Sequence, residues 1–209
     1  MSKIGILGGT FNPIHLGHIL LARTALAQAN LEKIIFMPSG VSYMKRNMSI
    51  LPAHERMKLV ELSIMEYSQF ESSDMEILRG GNTYTYETLE VLSSRSPGDE
   101  LYFILGADCL YSMENWREPE RIFRSCTVLA AVRDGVDQDS LKKKADDLKK
   151  KFEAKIRLLN LPRTDISSSE IRECLQQGKS ISGMVAPAAE KYILERKLYS
   201  NLEARDEEF

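Results

Sequence analysis

Short apolar runs of β-strand type alternate along this chain with longer runs whose apolar residues recur at helical spacing. Parallel strands must be joined by a crossover of a dozen or more residues, and that crossover is usually a helix. The alternation therefore predicts an α/β fold, a doubly wound parallel sheet with helices on both faces. The predicted strands are Lys3–Leu7, Lys33–Met37, Phe70–Ile77, Glu100–Leu105, Thr127–Val132 and Ile156–Asn160.

Four apolar stripes predict helices between these strands. We expect the first helix to stop at Asn30 and the second to begin at Pro52, because proline is tolerated in a first helical turn. We also expect a small helical extension at the C-terminal end. The stripes are Leu16, Ile19, Leu20, Leu26 and Ala27; Met57, Val60, Ile64 and Tyr67; Tyr86, Leu89 and Leu92; and Leu141, Ala145, Leu148 and Phe152.

Size and composition narrow the class of protein. A chain of 209 residues fits one domain over 1–200, with a helical part at about 167–200 and a flexible tail over 201–209. Its 28 basic and 30 acidic residues nearly balance, which argues against a nucleic acid or an anionic membrane as partner. No run approaches the roughly 18 apolar residues of a membrane span, and we expect no signal peptide. Three widely spaced cysteines favour a reduced, cytoplasmic protein; a homo-oligomer remains open.

The candidate functional residues all follow predicted strands. In parallel α/β sheets ligands bind beyond the carboxyl ends of the strands, so these residues are expected to form a single site. In chain order they are His15 and His18; Lys45 and Arg46; Gly106 and Asp108; Arg133; and Ser167, Ser168 and Ser169.

The strongest local signal is the run Gly-Gly-Thr-Phe-Asn-Pro-Ile-His-Leu-Gly-His over 8–18. Its glycines allow a ligand close to the backbone, and the following helix N-terminus offers unpaired N–H groups to an anion. Residues three apart on a helix share a face, so His15 and His18 can converge on one phosphate. The alternative is that His15 caps the helix and His18 is an ordinary surface residue.

A second run, Ile166-Ser167-Ser168-Ser169-Glu170-Ile171-Arg172, opens another helix. Ser167 and Glu170 have the spacing of a capping box. The free N–H groups, the serine hydroxyls and Arg172 would form a second phosphate cradle. A plain capped helix with a surface arginine is the competing interpretation.

With these two runs the chain resembles the nucleotidylyltransferase superfamily, and more narrowly the bacterial nicotinate-nucleotide adenylyltransferases. The similarity extends from about Lys3 to Lys197 and includes Phe103–Asp108 and Trp116. The resemblance implies a Rossmann-like fold and the reaction of ATP with nicotinate mononucleotide, which gives deamido-NAD and pyrophosphate. Other phosphorylated acceptors, such as nicotinamide mononucleotide, and a non-catalytic nucleotide sensor are the alternatives.

The resemblance also implies roles for individual residues. His15 and His18 would donate to phosphate oxygens, while Lys45 and Arg172 would hold the departing pyrophosphate. Trp116 would stack on the pyridine ring, and the helix start at Thr85 and Tyr86 would receive the nicotinate carboxylate. The expected ATP contacts are Gly8, Gly9, Thr10, Phe11, Asn12, Gly106, Asp108, Arg133, Ile166, Ser167, Ser168 and Ser169.

Adenylyl transfer itself makes few demands on a protein. The acceptor phosphate is already an anionic nucleophile, so positioning and charge stabilisation suffice, and no covalent enzyme intermediate is expected. Mg²⁺ is expected to enter with ATP and not in a protein cage. One departure from the family lies in the loop over 40–51, expected to be a mobile lid, where Met44 stands in place of the usual histidine beside Lys45.

Overall fold

The computed structural model describes residues 1–40, 50–133, 138–162 and 164–200. Within them, six strands form an entirely parallel sheet in the order β3-β2-β1-β4-β5-β6, which confirms the predicted fold class. The strands are β1 (Lys3–Gly9), β2 (Lys33–Pro38), β3 (Phe70–Ser72), β4 (Glu100–Gly106), β5 (Thr127–Arg133) and β6 (Lys155–Leu161).

The strand order reverses direction at β1. This strand pairs with β2 on one side and β4 on the other, so that Ile6 lies between Ile35 and Phe103. The loops after β1 and β4 consequently leave the sheet toward opposite faces and open a crevice between them at the carboxyl edge. Topology therefore predicts a ligand site at this edge, beyond the ends of β1 and β4.

Helices cover both faces of the sheet, because alternate residues of each buried strand point to opposite sides. The helices are α1 (Leu16–Ala29), α2 (Ala53–Ile64), α3 (Met75–Arg79), α4 (Thr85–Arg95), α5 (Ala107–Ser112), α6 (Pro119–Ser125), α7 (Gln138–Phe152), α8 (Ser168–Gln176) and α9 (Pro187–Glu195), with a 3-10 turn at Met113–Asn115. One apolar cluster joins β1 residue Leu7 and β2 residue Phe36 to α1, α2, α8 and α9. The other joins Ile6 and Phe103 to α4, α5, α6 and α7.

The predicted helix boundaries are mostly confirmed. Asn30 ends α1 in the left-handed conformation, with φ of 52°, a backbone state that asparagine tolerates better than most residues. Pro52 directly precedes α2. Tyr67, predicted as part of the second stripe, lies beyond the end of α2 at Ile64. The short helices α5 and α6 between β4 and β5 had no counterpart in the sequence prediction.

The predicted strand Phe70–Ile77 is wrong beyond Ser72. The Ser73 hydroxyl accepts from the N–H of Met75, and the Asp74 carbonyl accepts from the N–H of Leu78, so the chain turns into α3. Local hydrogen bonds of this kind compete with a sheet ladder. Because β3 is an edge strand that pairs only with β2 in the described sheet, few ladder bonds oppose the turn.

The C-terminal helices belong to the same packed face as α1 and α2. Ile171 of α8 and Ile193 of α9 are fully buried in that cluster. Glu55 of α2 is only 5% exposed and links α2 to α9. Its carboxylate accepts hydrogen bonds from the Tyr192 hydroxyl and from Arg196 Nη2, both at 2.8 Å. The expected tail over 201–209 lies outside the described residues.

The contact between Glu55 and α9 depends on pH, because it needs the ionised carboxylate. Burial would raise its pKa, but the hydrogen bonds from Arg196 and Tyr192 outweigh burial and lower it. A carboxylate whose pKa is lowered on folding stabilises the fold at pH values above the ordinary glutamate pKa of about 4.3. This stabilisation is lost as the pH falls through the folded-state pKa.

We expect Glu55→Gln to lower the free energy of unfolding by about 1–3 kcal/mol at neutral pH, because a buried charge-assisted hydrogen-bond pair is weakened. The deficit should shrink as the pH falls below the ordinary glutamate value and through the lowered folded-state pKa, where the wild-type carboxylate itself becomes protonated. Urea denaturation at several pH values measures both effects. A deficit that stayed constant down to the acid limit would show that the carboxylate charge plays no part.

Candidate active site

The loop between β1 and α1 is held in an unusual conformation. Phe11 adopts φ of 49°, a left-handed state rare for a residue with a bulky side chain, and the Asn12–Pro13 peptide bond is cis. The Phe11 ring compensates by being buried, 6.1 Å from the Phe36 ring and edge-on to His18 at 5.1 Å. The loop is thus anchored in the core on one side of the crevice.

His15 and His18 lie in direct contact at the start of α1. His15 is the N-cap residue and is buried, and its backbone N–H donates to His18 Nδ1 at 3.2 Å. The two ring centroids are 3.8 Å apart. A Cβ at Gly17 would lie 2.9 Å from His15 Nδ1, so glycine is needed between the histidines for this packing. The pair therefore combines capping with a fixed orientation of the half-buried His18 ring.

Helix α8 docks onto the same loop from the far end of the chain. The Ser168 hydroxyl donates to the Pro13 carbonyl at 2.8 Å, and Arg172 Nη1 donates to the Asn12 carbonyl at 2.7 Å. Ser167 caps α8, its hydroxyl accepting from the N–H of Glu170 at 3.2 Å. The serine run and the histidine run, about 150 residues apart in sequence, are consequently neighbours.

A cavity of about 170 Å³, here called the histidine cavity, opens where these two runs meet. His18, Thr10 and Arg172 give it an imidazole, a hydroxyl and a guanidinium group, which are donors suited to phosphate oxygens. Ser168 also lines the cavity, but its hydroxyl already donates to Pro13. The remaining described lining residues are Gly9, Phe11, Asn12 and Ile50.

A second cavity of about 250 Å³, the aromatic cavity, lies on the other side of Gly9 and Thr10, which line both. Trp116 packs edge-on against Phe103 at 6.1 Å, and its Nε1 donates to the Ser112 hydroxyl at 3.2 Å. The described lining is Ile6, Gly8, Gly9, Thr10, Met37, Ser39, Glu76, Thr83, Tyr84, Thr85, Thr88, Leu89, Phe103, Trp116, Arg117 and Ile122.

Sequence reasoning missed Tyr84, Arg117 and Glu76 in this aromatic cavity. The Arg117 guanidinium lies 4.9 Å from the centroid of the Tyr84 ring, so a cation and an aromatic face stand together at the wall. Tyr86, which had been expected there, is not among the described lining residues. It is buried beneath Arg121, whose guanidinium lies 4.2 Å from its ring centroid. Residues one apart at a helix start face different ways, which separates Tyr86 from Thr85.

Several expected contact residues are not among the described residues that line either cavity. Gly106 and Asp108 are at the junction of β4 and α5, where a Cβ on Gly106 would meet no atom within 4 Å. Ile166 packs against the core, and Ser167 and Ser169 are at the start of α8. Arg133 ends β5, and its side chain is outside the described part. Lys45, Arg46 and Met44 also fall outside the described residues.

Arg56 of α2 is a further residue that the sequence did not single out. It is 2% exposed, and its guanidinium donates to the carbonyls of Leu51, Thr10 and Ser39 at 3.0, 2.7 and 2.7 Å. Burial lowers its pKa. Arg56 therefore fixes Thr10, the residue between the two cavities, to the end of β2. In the sequence it looks like one more charged residue of an amphipathic helix.

Within the described ranges, no three His, Cys, Asp or Glu side chains are grouped as they would be around a metal ion. None of the described helices is both long and apolar enough to span a bilayer.

Comparison with known proteins identifies the class first. A model of the cytidylyltransferase-like family matches residues 6–174, which contain the histidine run, both cavities and the start of α8 through Cys174. The solved structure of a nicotinic acid mononucleotide adenylyltransferase from Plasmodium falciparum, complexed with NaAD, has the same fold. Its TM-score is 0.78 at 24% identity, over 95% of this chain and 98% of that chain.

Curated relatives narrow the identification. The protein from Lachnoclostridium phytofermentans named "Probable nicotinate-nucleotide adenylyltransferase" is 41% identical over 199 residues, 95% of this chain and 100% of that relative. A protein of the same name from Clostridium beijerinckii is 37% identical over 203 residues, with 95% and 100% covered. The chain belongs to the nicotinate-nucleotide adenylyltransferase family, a family of nucleotidyltransferase enzymes.

The packing of Gly17 against His15 leads to a sharp expectation. Gly17→Ala should lower the turnover number for adenylyl transfer about ten- to a hundredfold, because the added methyl displaces the His15 ring and a small misplacement is costly. Alanine is the better helix former, but its clash with the buried His15 ring opposes this gain, so we expect the unfolding temperature to change little. Steady-state kinetics and thermal denaturation measure the two. Arg23→Ala, at an exposed position of the same helix, should keep full activity.

Proposed function

We propose that this enzyme transfers AMP from ATP to nicotinate mononucleotide and releases deamido-NAD and pyrophosphate. The observation that carries the proposal is the shared wall of Gly9 and Thr10 between a donor-rich cavity and an aromatic one. A triphosphate in the histidine cavity and a mononucleotide in the aromatic cavity would meet at this wall, with the acceptor phosphate facing the α-phosphorus of ATP.

The histidine cavity supplies what the transferring phosphate needs. His18 and Arg172 line it and would donate to phosphate oxygens as negative charge moves toward the pyrophosphate. His15, packed against His18, would hold that ring in place. Lys45 is proposed to join them on the pyrophosphate. Since the acceptor phosphate attacks directly, no side chain need become adenylylated.

The aromatic cavity suits a pyridine mononucleotide. Trp116 offers a ring face for stacking, and its own orientation is fixed by Phe103 and Ser112. Thr85 begins α4, an eleven-residue helix whose free N–H groups would receive the nicotinate carboxylate. The combination of ring stacking and anion binding within one cavity favours the acid form of the acceptor.

Mg²⁺ is proposed as part of the ATP substrate. The described lining of the histidine cavity consists of hydroxyl, amide, imidazole and guanidinium groups and contains no carboxylate. Such a donor set complements phosphates that already carry a magnesium ion, which retains water and phosphate ligands. The three cysteines are free, in keeping with the reducing, cytoplasmic compartment proposed for the reaction.

The direct test is pyrophosphate release from ATP and Mg²⁺ with nicotinate mononucleotide or nicotinamide mononucleotide as acceptor. We expect faster turnover with the acid. Equal rates would remove the proposed preference, and ATP binding without pyrophosphate release from either acceptor would instead support a nucleotide sensor. A labelled adenylyl group trapped on the protein would overturn direct transfer.

For His18→Ala we expect the turnover number to fall about a hundredfold, the usual effect of removing one preorganised transition-state donor. The Michaelis constant of the acceptor should change little, since His18 does not line the aromatic cavity as described. Initial-rate kinetics with each substrate varied separately measures both parameters. A rise confined to the Michaelis constant for ATP would mean that His18 only binds the nucleotide.

A further inference from the structure

Glu76 is the only acidic residue among the described residues that line the aromatic cavity. If an anionic pyridine carboxylate binds there, as proposed above, this carboxyl group works against it by like-charge repulsion. In a cavity of about 250 Å³ no bound group is far from Glu76. The ionisation state of Glu76 must therefore influence which acceptor the enzyme prefers.

The position of Glu76 is fixed by its contacts. The Thr88 hydroxyl donates to Glu76 Oε1 at 2.7 Å, and Arg79 Nη1 donates to the Thr88 hydroxyl at 3.2 Å. Thr88 is 3% exposed and lines the same cavity. The Glu76 carbonyl oxygen packs closely on Gly40, where an added Cβ would lie 2.7 Å from it. The hydrogen bond from Thr88 holds the Glu76 side chain at the wall of the aromatic cavity.

Charges of both signs surround this carboxyl group. Arg79 lies on α3, as Glu76 does, and its guanidinium forms an ion pair of 3.4 Å with Glu87 of α4. Arg117 and Tyr84 line the wall of the aromatic cavity. Burial is the largest influence and raises the pKa of Glu76, and repulsion from Glu87 acts in the same direction. Hydrogen bonds from Thr88 and Thr83 and the charge of Arg79 oppose burial without cancelling it.

We propose that Glu76 is a specificity-determining residue, which sets the preference between acid and amide acceptors through its own protonation state. Its neutral form admits the pyridine carboxylate, whereas its ionised form repels the carboxylate and accepts from a carboxamide N–H. The proposal rests on the proposed function, because it concerns the acceptor in the aromatic cavity.

Because burial raises its pKa, Glu76 ionises at a higher pH than an ordinary glutamate. The ratio of kcat/KM for the acid acceptor to kcat/KM for the amide acceptor should fall as Glu76 ionises. The 5′-phosphate titrates near pH 6, but both acceptors carry it, so its effect cancels in the ratio. The ratio thus isolates the charge in the cavity.

The experiment compares wild type with Glu76→Gln from about pH 4.5 to about pH 8.5, a range that begins near the ordinary glutamate value. Pyrophosphate release is measured with both acceptors. The wild-type ratio should fall across this range, and that of the variant should stay flat. At the upper end of the pH range, the acid-to-amide ratio of the variant should exceed that of wild type about tenfold, as expected for one unit charge acting across a small cavity.

Glu87→Gln is the matched control, since it removes the same charge from the same network but at a residue that is not among the described cavity lining. Its acid-to-amide ratio should still fall with pH, unlike that of Glu76→Gln, but the fall should lie at a lower pH than in wild type because repulsion from Glu87 no longer raises the pKa of Glu76. A wild-type ratio independent of pH, or a Glu76→Gln variant that changes both acceptors equally, would overturn the inference. If neither acceptor released pyrophosphate, the proposed function itself would fail. The wild-type pH series decides the matter even if the variant does not fold.

Discussion

The site depends on how the carbonyl oxygens of one short loop are held. Those of Thr10, Asn12 and Pro13 accept from Arg56, Arg172 and Ser168, which come from α2 and α8. A carbonyl oxygen that faced a phosphate would repel it, because both carry negative charge. These hydrogen bonds hold the three carbonyl oxygens toward protein donors instead. The same bonds bring together three segments distant in sequence. Without them the histidine pair and the serine run would not share a cavity.

The fold could be predicted well where local pattern and burial agree. β1, α1 and the stop at Asn30 follow from an apolar run, a glycine-rich turn and a residue that tolerates the left-handed conformation. The prediction failed at Phe70–Ile77, because alternating apolar residues beyond Ser72 are overridden by hydrogen bonds of Ser73 and Asp74. An edge strand leaves such local competition unopposed.

The site was predictable where a motif carries its own chemistry. His18, Ser168 and Arg172 meet at one cavity, as residues that follow parallel strands should. Arg56 and Glu76 were not predictable, since their importance arises from tertiary burial and not from a local pattern. Tyr84 and Tyr86 show the limit of motif reading, because Tyr84, the N-cap of α4, lines the aromatic cavity, whereas Tyr86, two residues later, packs beneath Arg121.

The two cavities differ in the charge of their walls. The described lining of the histidine cavity provides hydrogen-bond donors and a cation and contains no carboxylate, whereas the aromatic cavity is lined by a half-buried glutamate and a tryptophan. Phosphate binding tolerates little negative charge nearby, but recognition of a ring substituent benefits from a group that can change its charge. Under the proposed assignment, Glu76 lies beyond Gly9 and Thr10 and outside the described lining that contains His18 and Arg172, so the acceptor preference could vary while the phosphate-binding chemistry stays the same.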